Sequence, residues 1–121
     1  DPAVEPALTV VEVDAAFSNL VWHHLPDVAA AAREVFRVLK PGGPFVVSDL
    51  QPHEADWMRE TMGDLRLGLK PDQVVGALAR AGFVDLRHEP AIDRYRVTSP
   101  AGEPLELAMF LVHGRKPARR P

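Results

Sequence analysis

Four side chains at two places in this sequence have the residue types of proton-transfer chemistry: His23 and His24 in the run NLVWHHLPD, and Asp49 and His53 in the run FVVSDLQPH. An imidazole titrates near neutrality, so a histidine on a loop can take a proton or hold a substrate hydroxyl. A carboxylate at the same edge can orient that imidazole or the acceptor itself. His24, Asp49 and His53 are therefore the candidate catalytic residues. Adjacent loop residues seldom face the same way, so only one of His23 and His24 is expected to reach a site. A structural alternative stands beside each: a hydrogen-bonded histidine, an aspartate capping a turn, a solvated loop imidazole. The same four are metal-ligand types but follow no metal-site spacing, so no metal is expected.

The elements that position these groups run from Asn19 to Asp49 as one strand, helix, strand unit. The run VVEVDAAFSNL is β-rich and nearly continuously apolar, which predicts a strand over Val13–Ser18 buried on both faces, with Asn19 just past its end. Pro26 and Asp27 suit a helix start, and Val28, Ala31, Ala32, Val35, Phe36 and Leu39 recur at helical spacing. Pro41, Gly42 and Gly43 stop it, and Phe45–Val47 begins the next strand. A helix between two such strands implies a crossover and hence parallel pairing.

Beyond Asp49 the spacing predicts a short helix over Glu54–Met62, placing Trp57, Met58 and Met62 on related faces, then a mobile piece bracketed by Gly63 and Gly68. Trp57 and Met58 fit an apolar acceptor pocket or simple packing. Pro71–Ala81 reads as a second helix with Val74, Val75, Leu78 and Ala81 inward and Gly82 as its stop. Phe83–Leu86 begins a further strand. Ile92–Thr98 and Leu105–Val112, joined by SPAGEP, read as an antiparallel hairpin added to the parallel strands, with Arg94 and Arg96 on a solvated face. Asp1–Thr9 reads as a connector.

The chain has 121 residues, 46% hydrophobic and 26% charged, which fits one folded domain rather than two. Its net charge of −3 argues against nucleic acid as the partner. Arg115, Lys116, Arg119 and Arg120 form the one basic run, expected as a solvated tail, with 1–116 as the domain and 117–121 as a flexible end. There is no cysteine, hence no disulfide or thiolate metal site. No apolar run approaches the ~20 residues of a membrane span. A cytoplasmic location without membrane contact is expected.

The runs NLVWHHLPD, REVFRVLKPGG and FVVSDLQPH, followed by DWMRETMGDLRLGLKPDQVVGALARAGF, resemble the second half of class I S-adenosylmethionine-dependent methyltransferases, in their ubiquinone-biosynthesis-like branch. The resemblance extends from about Val13 to Lys116. It implies an α/β fold: the carboxyl half of a Rossmann-like sheet, parallel strands with crossover helices and a terminal antiparallel hairpin. It implies methyl transfer from S-adenosylmethionine to a small-molecule acceptor. Ser18, Asn19, Leu20 and His23 then fall where the family contacts the cofactor, and Asp49 and His53 where it lines the acceptor pocket.

The family's glycine-rich cofactor loop has no counterpart here, for no GxGxG occurs, and the family places that loop before Asp1. The chain is therefore expected to be a carboxyl-terminal portion, inactive alone. A non-catalytic assembly domain, or one half of a split enzyme, is the other reading. The resemblance also leaves the Val13–Ser18 strand as an apolar sheet edge, through which self-association, as a two-fold or strand-exchanged dimer, is expected.

Overall fold

The computed structural model describes residues 12–61, 64 and 66–118. The expected connector Asp1–Thr9, and Met62, Gly63, Arg119 and Arg120, lie outside the described residues. A strand β1 (Ala16–Asn19) leads through a single 3₁₀ turn (Trp22–His24) to helix α1 (Val28–Val38) and strand β2 (Pro44–Leu50). Helices α2 (Trp57–Thr61) and α3 (Pro71–Ala81) follow, then two long strands, β3 (Val84–Thr98) and β4 (Pro104–Arg115). The sheet order is β1-β2-β4-β3. β1 and β2 pair in parallel, whereas β4 lies antiparallel to both β2 and β3.

The fold class is the mixed α/β sheet that the sequence implies, with differences in the strands. The first strand is shorter than Val13–Ser18. Val13 instead forms an isolated bridge to Leu39, and Asn19 lies within the strand, opposite Ser48. Phe83–Leu86 and Ile92–Thr98 are not two strands, because β3 runs through both. It accommodates Pro90 and the left-handed Asp85 (φ 56°) at two register shifts. An edge strand tolerates both, since one side of its backbone needs no ladder partner.

Local chemistry explains the helix limits. The Asp27 carboxylate accepts from the Ala30 amide at 3.0 Å and caps α1, and Pro71 occupies the first turn of α3, where a missing amide costs nothing. Gly82 ends α3 at φ 112°, and a Cβ there would lie 2.9 Å from the Phe36 ring. Helices α1 and α3 share one core with Phe45 and Val47 of β2 and Phe110 and Val112 of β4. Ala77, which the helical spacing did not single out, is buried with Val74 and Leu78. A second apolar cluster gathers Leu50, Met58 and Leu107, with Trp57 and Tyr95 against it.

Two further expectations change. Gly68, expected to border a mobile piece, is itself buried at φ 81°, and a Cβ would come within 2.2 Å of the Gln51 carbonyl; Gly63 and Leu65 of that piece lie outside the described residues. Flanking bonds, His53 N to Leu67 O at 3.2 Å and Leu69 N to Leu50 O at 2.9 Å, fasten the segment. Nor are Arg115 and Lys116 part of a solvated tail. Arg115 donates to the Gly42 carbonyl at 3.0 Å, while Lys116 donates to the Leu39 carbonyl at 2.8 Å and lies over the Phe36 ring.

Candidate functional site

The site is built where the parallel strands end. Leu20 leaves β1 in the left-handed region, φ 60°, with its amide bonded to the Ser48 carbonyl at 2.9 Å. Such a backbone costs a leucine roughly 1–3 kcal/mol and persists only where the surroundings hold it. Trp22 does part of that holding. It is buried against the Phe45 ring, 5.7 Å between centroids, and so fixes the direction of the next residue.

That residue is His23, which turns inward. Its backbone amide donates to Asp49 Oδ2 at 3.0 Å, and its Nδ1 lies 2.7 Å from Asp49 Oδ1. The Leu50 amide gives Asp49 a further bond at 2.7 Å. Asp49 is fully buried, yet these donors satisfy its charge, as a buried carboxylate requires. With Asp49 accepting at Nδ1, the other ring nitrogen is directed elsewhere, and Nε2 lies 3.3 Å from Asp64 Oδ1.

Asp64 is the residue that sequence reasoning did not single out. It is 4% exposed, and its two carboxylate oxygens have no hydrogen-bond partner among the described residues. Local bonds hold it over His23: Asp64 N to Met58 O at 3.3 Å, and Arg66 N to His23 O at 3.1 Å. The Arg66 guanidinium adds bonds to the carbonyls of Leu25 and Pro26. The signal in the sequence was a lone acid after a methionine-rich helix, which is indistinguishable from a solvated loop residue. Burial lowers the His23 pKa, but the hydrogen bond and charge of Asp49, with the charge of Asp64, outweigh it and favour the imidazolium.

The remaining candidates divide. The His24 ring lies 4.2 Å from that of His23, with Nε2 3.5 Å from Asp64 Oδ1 and the side chain 42% exposed. His23, His24 and Asp64 thus converge, and with Leu20, Leu50, Met58 and Tyr95 they line a cavity of about 70 Å³. His53 is not among them. Its Nδ1 accepts from the Ala55 amide at 3.2 Å, its Nε2 is buried without a partner among the described residues, and burial, opposed by Asp64, lowers its pKa. Ser18 pairs with Val47 inside the ladder, and the Ser48 hydroxyl donates to Asn19 Oδ1 across the strands.

Comparison with known proteins bears on this geometry. Residues 5–47 match a family described as a methyltransferase domain. A sterol 24-C-methyltransferase of Gibberella zeae is 33% identical over 92 residues, which take in 67% of this chain and 24% of that protein. The chain therefore spans about a quarter of the curated relative it matches. Among solved structures, a SAM-dependent methyltransferase of Methanosarcina mazei is 15% identical, with TM-score 0.60, over 91% of this chain and 63% of that one. The Haemonchus contortus phosphoethanolamine N-methyltransferase 2, complexed with phosphomonomethylethanolamine and S-adenosylhomocysteine, aligns over 86% of this chain and 33% of its own, with 16% identity and TM-score 0.58. The mixed α/β sheet matches the fold of these methyltransferase structures.

Proposed function

We propose that this chain forms the acceptor side of an S-adenosylmethionine-dependent methyltransferase acting on a small molecule. The observation that carries the reading is the buried His23–Asp49 pair at the carboxyl ends of β1 and β2, beside a cavity that Asp64 also lines. In open α/β sheets ligands bind outside the strands' carboxyl ends, and this is that edge. The methyltransferase-domain match over residues 5–47 supports the same activity.

S-adenosylmethionine supplies an electrophilic methyl group on its sulfonium. Asn19 fits the amino-acid part of that cofactor: its side chain is exposed at the strand end, its Oδ1 is occupied by Ser48, and the amide nitrogen is left to donate to a carboxylate. The 121 residues hold no GxGxG run for the adenosine part, so we read this chain as one portion of the catalytic domain. On the acceptor side, His23, oriented by Asp49, holds the polar group of the acceptor and takes its proton where it has one to lose. Leu20, Leu50 and Met58 exclude water around it. His24 and Asp64 complete the polar wall.

The test is calorimetric titration of the full-length protein with S-adenosylmethionine, followed by transfer of labelled methyl to a panel of small amines and hydroxyl compounds. Micromolar binding and a transfer rate that falls in His23→Gln are expected. Absence of both overturns the reading. An assembly role is the second reading, favoured by β1, which among the described residues pairs on one side only and leaves Phe17 82% exposed. A monomeric mass by light scattering would sink it.

A further inference from the structure

We infer that His23, His24 and Asp64 form a binding site for a divalent metal ion of the zinc class, with Asp49 as the group that orients its central ligand. Its place in methyl transfer rests on the function proposed above, but the binding itself does not. The starting point is the line of contact between His23 and Asp64. Asp49 accepts from Nδ1 of the imidazole, which directs Nε2 at Asp64 Oδ1, 3.3 Å away. A proton on Nε2 answers this one contact. It does nothing for the other Asp64 oxygen, also buried without a hydrogen-bond partner among the described residues.

A metal ion answers both, and His24 Nε2, 3.5 Å from Oδ1, stands within reach of it. The ligand atoms of His23, His24 and Asp64 lie within 4.8 Å of one another. Around an ion with bonds of ~2.0–2.1 Å, neighbouring ligands of a tetrahedron stand about 3.3 Å apart, and those of an octahedron about 3.0 Å. The two separations from Asp64 Oδ1, 3.3 and 3.5 Å, lie near the tetrahedral edge, and the third side of the triangle is within 4.8 Å. Two imidazoles and one carboxylate are also the donor set that suits zinc rather than magnesium or calcium, which take oxygen. The bond from His23 Nδ1 to a buried carboxylate is the outer-shell partner that metal-binding histidines carry, and the Leu50 and His23 amides hold that carboxylate in turn. Three protein ligands leave a fourth tetrahedral position, for water or for a heteroatom of the acceptor.

The spacing of positions 23, 24 and 64 hides the site from the sequence, because the third ligand lies forty residues further along the chain. The experiment strips the full-length protein with chelator and titrates it with zinc and with cobalt(II), whose visible absorption is intense only in tetrahedral coordination. One equivalent of each is expected, with the tetrahedral cobalt spectrum. His24→Ala and Asp64→Asn should each weaken uptake by at least about 100-fold, and Asp49→Asn by about 10- to 100-fold. The His24 side chain is 42% exposed, so His24→Ala keeps the test valid should Asp64→Asn fold poorly by circular dichroism. No stoichiometric uptake, or uptake unchanged in His24→Ala, overturns the site. Zinc uptake by a protein that transfers no methyl group overturns the proposed activity and leaves the site standing. Methyl transfer by a protein that takes up no zinc does the reverse.

Discussion

Two of the histidine–carboxylate pairs among the described residues make a natural comparison. His23 Nδ1 is 2.7 Å from Asp49 at the carboxyl end of the parallel strands, and His113 Nε2 is 3.1 Å from Glu89 between β4 and β3. Geometry hardly separates them, but surroundings do. The His23 and Asp49 side chains are 5% and 0% exposed, whereas those of His113 and Glu89 are 25% and 55% exposed. Water screens the second pair, and such exposed pairs contribute about 0–1 kcal/mol. The first has no water to fall back on, so each partner depends on the other, and a second carboxylate faces the far side of the ring. Pairing of residue types is therefore common, and burial at a strand end turns it into a site.

Four substitutions would break or sharpen this contrast. The largest effect is expected from His23→Gln, which should lower methyl transfer by about 10²- to 10⁴-fold in steady-state assays, with the protein still folded. A rate within threefold of the parent would remove His23 from the site. Next, Asp49→Ala leaves the His23 imidazole and the His23 and Leu50 amides without their acceptor. Urea unfolding should show a loss of about 3–5 kcal/mol, as for one partner of a buried pair. A loss under 1 kcal/mol would mean that Asp49 matters no more than a surface acid. Asp64→Asn is expected to act in opposite directions on function and stability. In chelator it should raise stability by about 1 kcal/mol, because a buried carboxylate without a hydrogen-bond partner is costly, while metal uptake and transfer are lost. A stability loss would show that Asp64 is structural. The smallest effect belongs to Glu89→Gln. Unfolding should shift by less than about 0.5 kcal/mol with transfer unchanged, and a larger shift would erase the contrast between the pairs.

How far the site was legible follows from the same contrast. His23, His24, Asp49 and His53 stand out by type and by position after strands, and the structure sets three of them around one strand end. Which histidine turns inward was not readable, since adjacent loop residues differ only in what their neighbours pack against. Here Trp22 docks on Phe45, and His23 follows it into the interior. His53 has the same chemistry, but its ring is taken up by the Ala55 amide. Asp64 carried no local signal at all.

For the fold, periodicity sufficed where an element's own residues bury it. Helix α3 spans Pro71–Ala81 as its proline start, apolar spacing and glycine stop dictate, and α1 begins beside its Asp27 cap. These are short-range effects of backbone conformation and side-chain spacing, so the sequence by itself determines them. It likewise determines that one α/β sheet forms, because an amphipathic helix between two apolar strands has few other ways to bury its face. Tertiary structure alone decided that β4 inserts between β2 and β3, that β3 runs unbroken through Pro90, and that Lys116 closes over Phe36. It also decided that Asp64 meets His23 and His24. Each of these depends on which distant surface is available for pairing, and a carboxylate's chemistry is set by the water it loses, which no local spacing encodes.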